Sequence, residues 1–318
     1  MTMNSTRPDY VVPTGDFIEE WMEEEGINAA ELARRLDVSR KHISELLRGK
    51  APLSHDMALR LENTTGVPAR IWNLHETGYQ AALARQAADA KLVTQYDRAK
   101  EFPLSYLRKH SFITAPASDK AGTVRGLLQF FGISSMDAFQ ATWNQGAVAY
   151  RRSAVGHHDP HRLATWLRAA ERSCTPGDFP IYDRENLEAA LPELRSLTVE
   201  DPVQAIQKAQ ALLRDCGVAL TLVPAVPGLG THGATRWIQG HPLIQLSDLW
   251  KCDDQLWFTL FHEIAHVLLH ESNGLYLNND HDNLEKEANA YASRFLVPED
   301  YEDRLPRHRN LDEVKALA

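Results

Sequence analysis

The stretch FTLFHEIAHVLLH, residues 258–270, sets two histidines four positions apart, with a glutamate directly after the first. On a helix, positions i and i+4 lie about 40° apart, so His262 and His266 project together and can share one metal ion. Glu263 falls about 100° round, near enough to reach a water at that metal without ligating it. The pattern alone does not separate a metal site from a buried helix that happens to contain His-Glu-x-x-His. Its flanks, Phe258, Phe261, Ala265, Leu268 and Leu269, predict a helix that is apolar nearly all round. Two histidines and a glutamate are costly in such a helix unless paired or metal-bound.

A catalytic zinc takes three protein ligands and leaves its fourth position to water. The segment LEKEANAYASRFLVP, residues 284–298, offers the third. With Glu285 at the origin of a helical wheel, Ala292 and Leu296 fall within about 20° of it, and Ala288 and Phe295 flank the same face. Glu287 falls about 160° away, beside Arg294. Glu285 is therefore expected to point inward and Glu287 towards solvent. A carboxylate centred on an apolar face needs a cation, a cap or an ion pair, and zinc would supply the cation. His270, four residues past His266, reads as a histidine that supports the site or the core rather than as a ligand.

FTLFHEIAHVLLH followed by EKEANAYASRFLVP, and preceded by GATRWIQGHPLIQLS, resembles the ImmA/IrrE metallopeptidase family over about residues 200–300. The resemblance implies a zincin-like fold, one zinc ion per chain and cleavage of a partner protein, often a transcriptional repressor. Carried over by position, the ligands are His262, His266 and Glu285, with Glu263 as the base. Zinc would lower the pKa of a bound water towards about 7, and Glu263 would take its proton and deliver it to the leaving amine. His232 and Arg236, on the preceding strand pair, are candidates to bind substrate backbone or a transition-state oxyanion. Their other reading is a surface or interdomain polar contact.

A second chemistry sits near the other end. ELARRLDVSRKHISELLRGKAPLS has the proportions of helix, three-residue turn and helix. From Arg34 to Lys50, Arg34, Arg35, Arg40, Lys41, Arg48 and Lys50 face only Asp37 and Glu45, a local excess that suits a phosphate backbone. Asp37 stands where such turns often carry glycine, and Asp tolerates a left-handed conformation better than most residues. Residues 14–85 resemble the XRE-type helix-turn-helix of HigA-like antitoxins. That implies a homodimer on palindromic double-stranded operator DNA, with Ser39, Arg40, Lys41 and Ser44 in the major groove. The other reading is a helical protein–protein module with a solvated basic face.

The elements that must position these residues are legible in outline. Asn28 and Ser39 offer N-caps, with Glu31 placed to complete a capping box. Ser54 and Pro68 open further helices. VALTLV, ATRWI and LIQLS predict strands separated by Pro and Gly turns, with helices after them. The expected class is α+β. An all-helical N-terminal domain spans 1–86, a helical middle region without evident chemistry 87–200, and a zincin-like domain with a small sheet 201–318.

At 318 residues the chain suits two or three compact units, and its net charge of −9 argues against general nucleic-acid affinity. Cys174, Cys216 and Cys252 are odd in number and far apart, as in a reducing cytoplasm, and each is expected to serve as a small buried hydrophobe. No apolar run approaches membrane-spanning length, and MTMNSTRPDYVV lacks the pattern of a secretory leader. The expectation is a cytoplasmic transcription regulator with an attached zinc-dependent endopeptidase domain. One rival is an antitoxin-like autorepressor whose zinc domain senses or docks but cleaves nothing. Another is a peptidase whose N-terminal helices only recognise a DNA-bound repressor.

Overall fold

The computed structural model describes residues 12–143, 159–174, 179–249, 253–270, 275–277 and 283–297. They fall into two compact units, Met1–Thr94 and Gln95–Ala318. Cys252 lies outside the described residues.

The first unit is helical: α1 (Thr14–Glu24), α2 (Ala29–Arg35), α3 (Arg40–Leu47), α4 (His55–Thr65) and α5 (Ala69–Thr94). Three of these helix starts are capped by side chains. Asn28 Oδ1 accepts the N–H groups of Ala30 and Glu31, Ser39 Oγ that of His42, and Ser54 Oγ that of Met57. The reciprocal half of the expected capping box is replaced, because the Glu31 carboxylate pairs with Arg34 and Arg35 one turn on. Between α2 and α3, Asp37 takes the left-handed conformation at φ 54°, as the sequence anticipated. Arg60 of α4 pins that turn by donating to the carbonyls of Leu36 and Asp37 at 3.0 and 3.2 Å. Leu32, Ala33, Leu36, Ile43, Leu46 and Leu61 form the buried centre. Gly15 of α1 lies so close to the backbone of Leu47 that a Cβ there would overlap it.

The second unit opens with helices that include α6 (Lys120–Phe131), α7 (Pro160–Ser173), α8 (Arg184–Ser196) and α9 (Pro202–Asp215). Strands β1 (Ala219–Val223), β2 (Gly233–Ile238) and β3 (His241–Ser247) follow, then α10 (Asp253–Leu269), β4 (Leu275–Leu277) and α11 (Asn283–Leu296). The sheet order is β1-β3-β2-β4, with β1 parallel to β3 and β2 antiparallel to both its neighbours. The class is α+β, as expected.

Side chains alternate across a strand, and here the alternation decides what each face holds. Gly233 and Thr235 face α10, and Thr235 bonds to Glu263 there. The opposite face carries Arg236 and Gln245, which bond to the α7 carbonyls of Leu167 and Trp166. The sheet is thus covered by α10 on one side and α7 on the other. Residues 95–200 of the expected middle region therefore belong to the same unit as the sheet, and the expected edge at 86 falls inside α5. Cys216 is buried and Cys174 half-buried, both as free thiols.

Candidate functional site

Helix α10 is buried from Leu256 to Leu268 except at Phe258, which is 37% exposed. The burial expected from its apolar flanks is corrected there and at Leu269, which also reaches solvent. Within this helix His262, Glu263 and His266 are all buried. Helix α11 packs beside it and brings in Glu285 from its first turn.

Three donor groups then converge. Nε2 of His262 and Nε2 of His266 are 3.0 Å apart, and they lie 3.1 and 3.0 Å from the two carboxylate oxygens of Glu285. Among the described residues this is the group of His, Cys, Asp and Glu side chains able to hold a metal ion. Glu285 has a side chain 8% exposed, whereas Glu287 is 62% exposed and lies 3.5 Å from Nε2 of His270. The helical wheel therefore separates the two glutamates as the structure does.

The polar atoms behind the ligands set their orientation. Nδ1 of His262 is 3.0 Å from Oδ1 of Asn289, an acceptor, so Nδ1 carries the proton and Nε2 presents its lone pair to the cluster. Nδ1 of His266 is 2.8 Å from Nδ1 of His270, and the His266 ring stacks on Tyr276 of β4 at 4.7 Å. Two imidazole nitrogens and a carboxylate facing one another at this range could hold a metal ion between them. Two His nitrogens and one carboxylate, with a further position left for water, is the donor set of a catalytic metal.

Glu263 lies beside the cluster and outside it. Thr235 Oγ1 donates to its Oε2 at 2.7 Å, while its buried Oε1 has no hydrogen-bond partner among the described residues. Burial pushes its pKa up to about 8, against the opposing influence of His262 and the Thr235 hydrogen bond. Gly233 makes room for that free oxygen, since a Cβ on Gly233 would overlap Oε1. Sequence reasoning missed Thr235 and Gly233. Their signal was the alternation of β2, which places both on the face opposite Arg236.

Arg236 requires a correction. It pairs with Glu171 at 2.5 Å and donates to the Leu167 carbonyl, on the α7 side of the sheet, so it does not reach the face that holds Glu263. Its role as a substrate or oxyanion ligand is withdrawn. His232 is half-buried just before β2, and its carbonyl accepts the N–H of Ser247 at 2.8 Å.

In the first unit, Arg40 and Lys41 are exposed at the start of α3, and Ser44 is half-buried one turn on. Lys41 lies 3.7 Å from Glu45, a loose surface pair that leaves it able to turn to another anion. Ser39 is exposed and spends its hydroxyl on capping α3. No helix among the described residues is long and apolar enough to cross a membrane.

The fold and the site define a chain that joins a helix-turn-helix unit to one carrying a buried His-His-Glu centre. Comparison with known proteins agrees: residues 18–72 match the helix-turn-helix family HTH_3, and residues 226–318 match the IrrE N-terminal-like domain, Peptidase_M78. Over 85 residues the chain is 32% identical to the HTH-type transcriptional regulator YddM of Escherichia coli (strain K12), a match covering 26% of this chain and 90% of that protein. The chain belongs to the helix-turn-helix transcriptional regulators and carries an IrrE-like domain. Two solved structures are also similar over 26% of this chain and 90% of their own. One is the Pseudomonas aeruginosa antitoxin HigA with the higBA promoter, at 29% identity and a TM-score of 0.25. The other is an addiction module antidote protein of the HigA family from Coxiella burnetii, at 23% and 0.24.

Proposed function

We propose that this protein is a DNA-binding regulator whose second unit is a zinc-dependent endopeptidase acting on a partner protein, such as a repressor or a toxin-system component. The observation that carries the peptidase reading is the Glu263 carboxyl. A purely structural metal centre has no use for a buried acid held by Thr235 with its second oxygen left unpaired. His262, His266 and Glu285 would hold one zinc ion, with Asn289 and His270 orienting the two imidazoles. Bound there, zinc would supply Lewis acidity to a water and to the scissile carbonyl. Glu263 accepts the proton of the attacking water at Oε1 and returns it to the leaving amine nitrogen, while Thr235 keeps Oε2 fixed.

The first unit would bind palindromic operator DNA as a homodimer, reading bases with Arg40, Lys41 and Ser44 and placing Ser39 at the backbone end of α3. The reading as an antitoxin-like autorepressor with a non-catalytic domain gives Glu263 nothing to do. Glu263→Gln keeps the shape of the side chain but cannot carry the proton. This variant should keep its zinc, its fold and its operator binding, and should lose roughly 10²–10⁴-fold in cleavage of the natural partner. It should also hold that partner long enough for co-purification to identify it. Regulation of the target promoter unchanged from wild type would mean that proteolysis is not the mechanism.

A further inference from the structure

A groove of about 260 Å³ opens in the helix-turn-helix unit between α1 and the first turns of α5, and none of its lining residues belongs to the proposed DNA or metal sites. Phe17, Glu20, Trp21 and Glu24 line it from α1, an i, i+3, i+4, i+7 stripe, and Ile71, Trp72 and His75 line it from α5. Phe17 and Trp21 of this stripe also pack against the edge of the core, to which α1 gives Thr14, Gly15, Ile18 and Met22, while Glu20 and Glu24 turn to solvent. At about 100° per residue, the stripe is centred roughly opposite Gly15, the position pressed against Leu47 of α3. The groove therefore opens on the side of α1 turned away from the proposed DNA-reading helix.

Its floor is aromatic and its rim is anionic. Trp72 is buried, with its indole N–H donating to the Val67 carbonyl at 3.2 Å, and the Phe17 ring lies 4.0 Å from that of His75. Glu20 and Glu24 are exposed, and neither pairs with a cation among the described residues. Helix α1 holds the carboxylates of Asp16, Glu19, Glu20, Glu23 and Glu24 with no basic residue among them. Aromatic faces flanked by unpaired carboxylates attract guanidinium and ammonium groups by cation–π and charge-assisted contacts. The same charges repel phosphate. A second copy docked about a two-fold axis would set this acidic stripe against itself.

We propose that the groove docks an arginine- or lysine-bearing segment of a partner protein. Its cationic side chain lies over Trp21 between Glu20 and Glu24, and its apolar residues rest on Ile71 and Trp72. Docking there is compatible with simultaneous occupation of α3.

The test uses the full chain and a 12-residue amidated peptide of alternating arginine and leucine, followed by calorimetry and tryptophan fluorescence at physiological salt. The peptide should bind one per chain, and a version with glutamine at every arginine should not. Glu20→Gln with Glu24→Gln should weaken binding by about tenfold or more, as should Trp21→Ala with its helical content intact. Glu19→Gln with Glu23→Gln removes the same charge from another part of α1 and should leave affinity within about twofold. An equal loss in both double variants would reduce the effect to general electrostatics and overturn the proposal. It also fails if the Glu20/Glu24 variant breaks up a self-associated form of the chain, because the occupant is then a second copy. Tighter peptide binding after deletion of residues 1–11 would assign the groove to the chain's own leading segment and likewise overturn it.

Discussion

Glu285 and Glu287 are two residues apart on one helix, yet they face different surroundings, and this difference makes the metal assignment testable. Glu285→Ala removes the carboxylate that both Nε2 atoms face, so purified protein should fall from about one zinc per chain to a small fraction of that. Glu287→Ala should leave zinc content unchanged, since that side chain is mostly in solvent. The opposite pattern in metal analysis would place the third ligand on Glu287. Gly233 makes a sharper prediction about catalysis. Gly233→Ala sets a methyl group against Oε1 of Glu263 without touching a ligand. Zinc content should persist while cleavage of the partner falls by about tenfold or more, because misplacing a catalytic group by an ångström is costly. Unchanged cleavage would show that Oε1 is not the atom that handles the proton.

At the scale of elements, the sequence is most legible where local chemistry decides. The caps at Asn28, Ser39 and Ser54 and the left-handed Asp37 follow from side chains bonding or bending their own backbone. The wheel that turns Glu285 inward needs only the helix period. What stays hidden depends on partners distant in sequence. Strand β4, Leu275–Leu277, is too short to show alternation and exists because β2 pairs with it. Thr235 and Arg236 are neighbours, so choosing the wrong face of β2 exchanges their roles, and nothing within the strand names the face. The structure gives Arg236 to α7, which predicts a stability effect rather than a binding one. Arg236→Met should strip a mostly buried partner from Glu171 and lower unfolding free energy by about 1–3 kcal/mol in a denaturant titration. Glu171 keeps its second partner, Arg168, which places the cost below that of a fully orphaned charge. If the variant keeps wild-type stability but loses cleavage, Arg236 touches substrate after all.

For the whole molecule, charge is the property that sequence and structure together constrain most tightly. A chain of net charge −9 should be repelled by DNA at long range, so operator affinity must come from a local surface. The surface proposed for it is Arg40 and Lys41, both exposed at the start of α3, while the carboxylates of α1 lie on a different helix. Binding of the full chain to its own upstream DNA should therefore weaken steeply with salt. The slope of log affinity against log salt is about −0.9 for each phosphate neutralised. Arg40→Ala or Lys41→Ala should each weaken binding further. A residue that only contacts phosphate should reduce the salt slope by about one and weaken all sequences alike, whereas one that reads a base edge should also relax specificity at one operator position. The acidic remainder of the chain sharpens this prediction, because it makes non-specific binding at moderate salt weaker than for a basic regulator. Binding that ignores salt, or that fails on upstream DNA while the fold is intact, would turn the basic face of α3 into a protein-docking surface.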